Sequence, residues 1–177
     1  MSCLAVPAFI IAACLGGCQT SPRAMEPTSQ EALSLLMPRS IEIVEPFTAW
    51  SDLDNSGGID AIIVYVQPIN ASGDPIQAAG SMYVELYAFR QASGERKGKR
   101  LELWEMPLAT QADQDTLWNR ATQMYELKLI LSPPTLAAKP GDKFVLMVSY
   151  NSPLGRRLAT ESVLQVPLGR DVLTNRR

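Results

Sequence analysis

The chain has 177 residues, with 16 lysines and arginines against 18 aspartates and glutamates, and it contains no histidine. The absence of histidine excludes a Ser-His-Asp triad and removes the commonest protein ligand of zinc and haem. A nearly balanced charge with no basic–aromatic motif makes nucleic acid a poor partner. No set of residues has catalytic spacing, so the sequence predicts that the protein is not an enzyme.

Residues 4–15 form an uncharged apolar run, and Leu15-Gly16-Gly17-Cys18 closes it with small residues before a cysteine. The run is shorter than the about 20 residues that span a bilayer, and its length suits the core of a signal peptide. The pattern resembles the lipobox of bacterial lipoproteins, in which a peptidase cleaves before the cysteine and acyl chains are attached to it. The resemblance implies a signal peptide over residues 1–17 and lipidation at Cys18. It is incomplete, because the first basic residue is Arg23, and a buried N-terminal element is the alternative.

Residues 18–38 are predicted to be a lipidated tether. All three cysteines lie in the first eighteen residues, so the chain beyond Cys18 offers no disulfide, cysteine ligand or cysteine nucleophile. Thr28-Ser29-Gln30-Glu31 matches a capping box and predicts a short helix ending at Pro38, with a continued tether as the alternative. Gln19 is not the Asp that retains well-known lipoproteins at the inner membrane. By that resemblance we expect the outer membrane, facing the periplasm, with several acyl chains needed for firm anchoring.

From residue 39 onward, apolar residues alternate with polar ones, which indicates half-buried strands. Gly, Pro, Asn and Asp clusters separate most of these segments. The only helical period between them is a weak one over residues 114–124. The sequence therefore predicts one mainly β domain over residues 39–177, an antiparallel two-sheet β-sandwich of immunoglobulin-like or transthyretin-like type. The seven predicted strands fall within residues 41–47, 61–66, 82–89, 101–104, 125–131, 144–150 and 158–166.

Two further resemblances bear on this domain. Pro140-Gly141-Asp142 leads into a long strand, as before the penultimate strand of immunoglobulin-like sandwiches, although Phe144 stands where those domains often carry a corner Tyr. The segments Ile41-Glu42-Ile43 and Val84-Glu85-Leu86-Tyr87, with the Asp-Gly loop between them, resemble uncharacterised bacterial envelope lipoproteins. No activity is established for that family, so the resemblance implies none.

The segment from Asp52 to Asp60 is the best chemical candidate. Asp52, Asp54, Ser56 and Asp60 stand at the first, third, fifth and ninth positions of this segment, with Gly57 at the sixth, as at the start of a calcium loop. Calcium needs six to eight oxygen ligands. Ile63 stands where an EF-hand has its bidentate Glu, so the segment is not an EF-hand. A turn in which these side chains cap backbone groups is the alternative. Calcium is the only cofactor that the sequence suggests.

Basic residues cluster at a predicted hairpin tip: Arg96, Lys97, Lys99 and Arg100. Such a tip would attract anionic lipid head groups or cell-wall polymers. The alternative is a solvated turn that protects a sheet edge, a common use of lysine-rich tips.

Two other groups of residues have a conceivable chemical role. Asp113, Asp115, Glu102 and Glu105 would serve acid–base catalysis only if two of them faced each other across a cleft. Burial is expected for Trp50, Trp104 and Trp118, since each indole removes a large apolar area from water. Exposure of Trp50 or Trp118 would instead indicate a sugar or protein contact.

Together these patterns predict a lipid-anchored β-sandwich module of the cell envelope with a structural or protein-interaction role. Its expected partners are the membrane, through acyl chains on Cys18, and other envelope proteins. The alternatives are a lipoprotein subunit of a secretion or export machine, and a calcium- or carbohydrate-binding module.

Overall fold

A computed structural model describes residues 35–91, 94–168 and 173–174, which form two packed β-sheets. The first sheet contains β1 (Ser40–Ile43), β2 (Ala49–Asp52), β3 (Ala61–Ile69), β6 (Trp118–Asn119), β7 (Met124–Ile130) and β10 (Leu173–Thr174). The second sheet contains β4 (Ser81–Phe89), β5 (Lys97–Pro107), β8 (Lys143–Asn151) and β9 (Arg157–Gln165). Two short helices, α1 (Gln111–Leu117) and α2 (Pro133–Leu136), flank β6 and β7.

The strand order confirms the predicted antiparallel sandwich. The first sheet runs β10-β2-β3-β7-β6, with β1 also paired to β3, and the second runs β5-β4-β8-β9. Apart from β10, this is the A-B-E-D and C′-C-F-G order of immunoglobulin-like domains. All seven predicted strands are present, but the number was too low, because β2, β6 and β10 have only two to four residues each. β10 also pairs in parallel with β2.

A turn interrupts the strand that was predicted over residues 41–47. β1 ends at Ile43, and the chain rejoins β3 through Thr48, whose Oγ1 accepts a hydrogen bond from Tyr65 N at 3.1 Å. Phe47 lies in the turn with 51% of its surface exposed, and its ring contacts that of Tyr65. Phe47 therefore does not continue the alternation of Ile41 and Ile43 that the sequence suggested, because the turn shifts it.

The core lies between the two sheets and follows the period-two pattern. Each fully buried large apolar side chain contributes about 1.5–3 kcal/mol to the hydrophobic stabilisation of the fold. The first sheet contributes Ile41, Trp50, Ile62, Val64, Val66, Tyr125, Leu127 and Leu129. The second sheet contributes Met82, Val84, Leu86, Phe144, Leu146, Val148 and Tyr150.

A buried polar network closes one end of the sandwich. The Tyr125 hydroxyl accepts a hydrogen bond from Ala78 N at 2.8 Å and lies 2.6 Å from Gln114 Oε1. Gln114 Nε2 donates to Ala78 O and Leu108 O at 3.0 and 2.9 Å. The network ties α1 to β7 and to the loop before β4.

The two ends of the sandwich carry different features. At one end, residues 35–39 lead into β1, and Arg156, just before β9, donates to Arg39 O at 3.2 Å. β4 begins beside the last residue of β8, which pairs with the first residue of β9, so the β4–β5 turn lies at the other end of the sandwich. The acidic loop also lies at that other end, because it precedes β3, whose last residue Ile69 pairs with Ser40. Strands of nine residues separate the two ends by about 30 Å. Across the described ranges, the chain forms no helix with the length and apolar character needed to cross a membrane.

Candidate functional site

The acidic loop joins β2 to β3, and the structure brings three of its carboxylates together. Asp52 ends β2 and is 4% exposed, Asp60 immediately precedes β3, and Asp54 is exposed on the loop between them. One carboxylate oxygen from each of the three lies within 4.8 Å of the others. The local spacing of the sequence therefore produces the predicted convergence.

Backbone N–H groups already bind these carboxylates. Asp52 accepts from Ser56 N at 3.1 Å and Gly57 N at 2.9 Å, and Asp60 accepts from Leu53 N at 2.8 Å and Asp54 N at 3.0 Å. Positive φ angles at Asn55 and Gly57, +57° and +89°, turn the loop tightly enough for these bonds.

Ser56 supports the loop through its backbone. Its N–H donates to Asp54 Oδ1 at 2.8 Å, and hydrogen bonds from Ser56 hold the pKa of Asp54 below its usual value. Each carboxylate oxygen retains a second lone pair, so the triad keeps the capacity to bind a cation. The loop thus has the geometry of a capped turn, with three carboxylates close enough to contact one cation.

The basic cluster lies mostly on β5 instead of at a hairpin tip. Lys97 pairs with Glu161 at 3.3 Å, and Arg100 pairs with Glu85 at 2.9 Å, across the outer face of the second sheet. Arg96 and Lys99 are exposed, and neither forms an ion pair with the residues described here. Two of the four predicted surface-binding cations are therefore committed to ion pairs within the sheet.

Burial and hydrogen bonding oppose each other at Glu85. Burial raises the pKa of Glu85, but hydrogen bonds from Arg100 and Tyr87 outweigh it, so the pKa is lowered overall. The carboxylate therefore stays ionised and keeps Arg100 in place.

The four carboxylates considered for acid–base chemistry are spread over separate structural positions. Glu102 points towards α2, where it accepts hydrogen bonds from Ser132 N, Ser132 Oγ and Thr135 Oγ1. Burial raises the pKa of Glu102, but the bonds from Ser132 and Thr135 outweigh this and lower it overall. Glu105, on the opposite face of β5, accepts from Tyr83 at 2.9 Å.

The two aspartates stabilise α1. Asp113 forms a reciprocal capping box with Thr110, and hydrogen bonds from the Thr110 backbone and hydroxyl lower the pKa of Asp113. Asp115 pairs with Arg120 at 3.2 Å. Glu102, Glu105, Asp113 and Asp115 therefore have structural partners, and they do not form the pair across a cleft that acid–base catalysis would need.

The three tryptophans differ in environment. Trp50 is 1% exposed, packs edge-on against Phe144, and donates through Nε1 to Gln165 O at 2.9 Å. Trp104 is partly buried and donates to Ile130 O at 3.0 Å. Trp118 is also partly buried, with its ring centroid 4.9 Å from that of Tyr125, and it lines a surface groove.

This groove, called here the Trp118 groove, has a volume of about 430 Å³. Its lining comes from four segments, namely β5, α1, β6 and β7, so no spacing in the sequence could have revealed it. The one available signal was a tryptophan within a polar stretch. The lining residues are Met106, Thr116, Leu117, Trp118, Asn119, Glu126 and Lys128.

Cys18, the predicted lipidation site, and residues 1–34 lie outside the described residues, as does most of the helix predicted before Pro38. Comparison with known proteins finds no matching family model and no significant match among curated proteins or solved structures. The resemblance to envelope lipoproteins therefore stays a prediction from the sequence.

Proposed function

We propose that this protein is a lipid-anchored β-sandwich module of the bacterial cell envelope, with a structural or protein-interaction role and no catalytic activity. The uncharged run that ends in Leu15-Gly16-Gly17-Cys18 carries this proposal. Acyl chains on Cys18 would bind the membrane, and the sandwich would meet other envelope proteins.

The distance between Cys18 and the first strand supports a tethered arrangement. Met37 already packs against the core and Arg39 N donates to Ile69 O, so residues 19–36 separate the acylated cysteine from the folded domain. A flexible segment of this length spans about 25 Å on average. This reach allows the sandwich to stand clear of lipid head groups while remaining close to the membrane.

Mass spectrometry of the N-terminal peptide, from protein expressed in a bacterium with and without globomycin, tests the anchor. We expect cleavage before Cys18 and a mass increase from several acyl chains, with uncleaved precursor accumulating under globomycin. Cys18→Ser should abolish acylation and membrane fractionation, whereas the matched variant Cys14→Ser should leave both unchanged. An unmodified Cys18 in a chain with its first residues intact would refute the proposal.

Location is tested by separating inner and outer membranes on a density gradient. The residue after the acylated cysteine is Gln19, so we expect the protein in the outer-membrane fraction. Gln19→Asp should move it to the inner-membrane fraction. Recovery of the unchanged protein from the inner membrane would contradict the expected location while leaving the anchor intact.

Calcium binding at the acidic loop is a second candidate, favoured by the convergence of Asp52, Asp54 and Asp60 within 4.8 Å. A ligand that binds only the folded state raises the melting temperature. We therefore expect calcium to raise it and magnesium to have little effect. Asp54→Asn should remove the calcium effect, and the exposed control Asp74→Asn should preserve it. Equal melting temperatures with calcium and with chelator would eliminate this candidate.

A further inference from the structure

We propose that the end of the sandwich where the tether enters docks on anionic phospholipids, so that the domain lies with this end against the bilayer. The proposal rests on the proposed lipid anchor at Cys18 and goes beyond it, because an anchor alone leaves the orientation of the domain open. The docking surface, called here the tether-end surface, consists of exposed side chains from the segment before β1 and from the β8–β9 turn: Leu35, Leu36, Arg39, Leu154 and Arg156.

The segment before β1 and the β8–β9 turn lie next to each other. Arg156 Nη2 donates to Arg39 O at 3.2 Å, and both arginines line one shallow groove together with Leu35. Hydrogen bonds close the turn, because Ser152 N donates to Arg156 O at 2.8 Å and Arg156 N donates to Ser152 Oγ at 3.0 Å. The two segments therefore form one continuous surface at the tip of the fold.

Three leucines give this surface its apolar part. Leu35, Leu36 and Leu154 are 65%, 71% and 46% exposed. All three lie beyond the last paired residues of the strands, since Ser40 is the first paired residue of β1 and Leu154 lies in the turn between β8 and β9. Leucines that enter the boundary between head groups and acyl chains lose contact with water, which favours binding to a bilayer.

The charges on this surface favour an anionic partner. Residues 35–40 and 151–157 contain three arginines and no aspartate or glutamate, and the neighbouring turn over residues 70–75 adds one carboxylate, Asp74. Neither Arg39 nor Arg156 forms an ion pair with the part of the chain that the structure describes. The carboxylates of α1 belong to the other edge of β3 and are occupied by the helix cap and an ion pair. Each arginine close to an anionic bilayer strengthens binding about fivefold.

The opposite end of the sandwich is a poorer contact for the membrane. Arg96 and Lys99 are exposed there, but the acidic loop brings three carboxylates to the same end, and these would repel anionic lipid. The tether reaches about 25 Å on average, whereas about 30 Å separates the two ends. Contact through the far end would require the tether to extend along the whole domain, which costs conformational entropy.

The tether also selects lipid over a protein partner for this surface. The tether enters at this end, so acylation would hold the surface within one tether length of the head groups. Lipid is then the ligand with the highest effective concentration at this surface.

A fluorophore at one exposed leucine reports docking directly. Cleavage before Cys18 removes Cys3 and Cys14, and the Cys18 sulfur carries lipid, so Leu154→Cys supplies a unique thiol for the environment-sensitive dye NBD. The acylated protein is reconstituted in vesicles of phosphatidylethanolamine and phosphatidylglycerol, or of phosphatidylcholine alone. We expect blue-shifted emission from the label at position 154 on the anionic vesicles, and a smaller shift on phosphatidylcholine.

The matched label control is Leu168→Cys. Leu168 is 80% exposed and lies beside Gly141, which precedes β8 at the opposite end of the sandwich. The label at position 168 should keep the emission of a dye in water on both kinds of vesicle.

Charge substitutions separate docking from anchoring. The double variant Arg39→Glu with Arg156→Glu should lower the ratio of docked to undocked protein by at least about tenfold. The matched double variant Arg96→Glu with Lys99→Glu reverses two exposed cations at the far end and should leave the emission of the label at position 154 unchanged. Both double variants should float with the vesicles and melt like the parent, because they alter neither the acyl chains nor the core.

Emission typical of water from the label at position 154, in protein that floats with the anionic vesicles, would overturn the inference and leave the anchor intact. Equal shifts from the labels at positions 154 and 168, or equal shifts on the two kinds of vesicle, would also overturn it. An unchanged shift in the variant of Arg39 and Arg156 would do the same. Protein that lacks acyl chains and does not float would refute the anchor, and the docking with it.

Discussion

Removal of the Tyr125 hydroxyl is expected to destabilise the protein more than removal of any exposed tyrosine hydroxyl. Tyr125 and Ala78 are both at most 1% exposed. The hydroxyl accepts from Ala78 N at 2.8 Å and lies 2.6 Å from Gln114 Oε1. Tyr125→Phe keeps the ring and its contact with Trp118, so the change isolates the hydroxyl.

The magnitude follows from the groups that lose their partners. An unsatisfied buried N–H at Ala78 costs about 1–3 kcal/mol, and the lost bond to Gln114 adds about 1 kcal/mol. Gln114 still donates to Ala78 O and Leu108 O, so the loop keeps part of its support. We therefore expect a loss of about 2–4 kcal/mol in the free energy of unfolding, which corresponds to a fall of about 5–15 °C in melting temperature.

Urea unfolding followed by tryptophan fluorescence measures this loss. The matched control is Tyr83→Phe, whose hydroxyl donates to Glu105 at 2.9 Å in an exposed position, and it should cost less than about 0.5 kcal/mol. The slope of the free energy against urea should be the same for both variants, because the exposed area on unfolding does not change. A loss in Tyr125→Phe within about 0.5 kcal/mol of the control would refute the reasoning.

Three further perturbations are expected to give distinct results. Gly80→Ala should lower the free energy of unfolding in urea by more than about 3 kcal/mol, since φ is +147° and the added Cβ would clash with Asn151 O. The control Gly58→Ala should lower it by less than about 1 kcal/mol. Ser149→Ala should leave the melting temperature unchanged or raise it, because its buried Oγ lacks a partner in the described structure. The folded state lowers the pKa of Glu102, so the ionised carboxylate stabilises the protein at pH values above its ordinary pKa of 4.5. This stabilisation is lost as the pH falls through the folded-state pKa, so the melting temperatures of Glu102→Gln and the parent should converge at low pH.

Period-two alternation was sufficient to predict the main strands, because one face of each strand is buried. It did not predict which face of β5 is buried. Leu101 and Leu103 are 36% and 48% exposed, whereas Glu102 and Trp104 point inwards. Contacts with distant elements decide this face, because Glu102 binds Ser132 and Trp104 donates to Ile130 O on β7. The sequence of β5 itself does not indicate either contact.

The candidate sites show the same division between local and distant contacts. The acidic loop could be predicted because Asp52, Asp54 and Asp60 lie within nine residues and a tight turn suffices to bring them together. The Trp118 groove could not, since Met106 and Lys128 meet there only after the two sheets pack. The ion pairs of Lys97 and Arg100 were equally hidden, because their partners lie on other strands of the same sheet.

The position of β1 has a mechanical consequence. A force that pulls on residues 35–39 while the opposite end of the sandwich is held acts along the strands and not across them. The hydrogen bonds from β1 to β3 are perpendicular to that direction, from Ser40 opposite Ile69 to Ile43 opposite Val66. They would be loaded in shear and share the force, instead of opening one after another like a zipper.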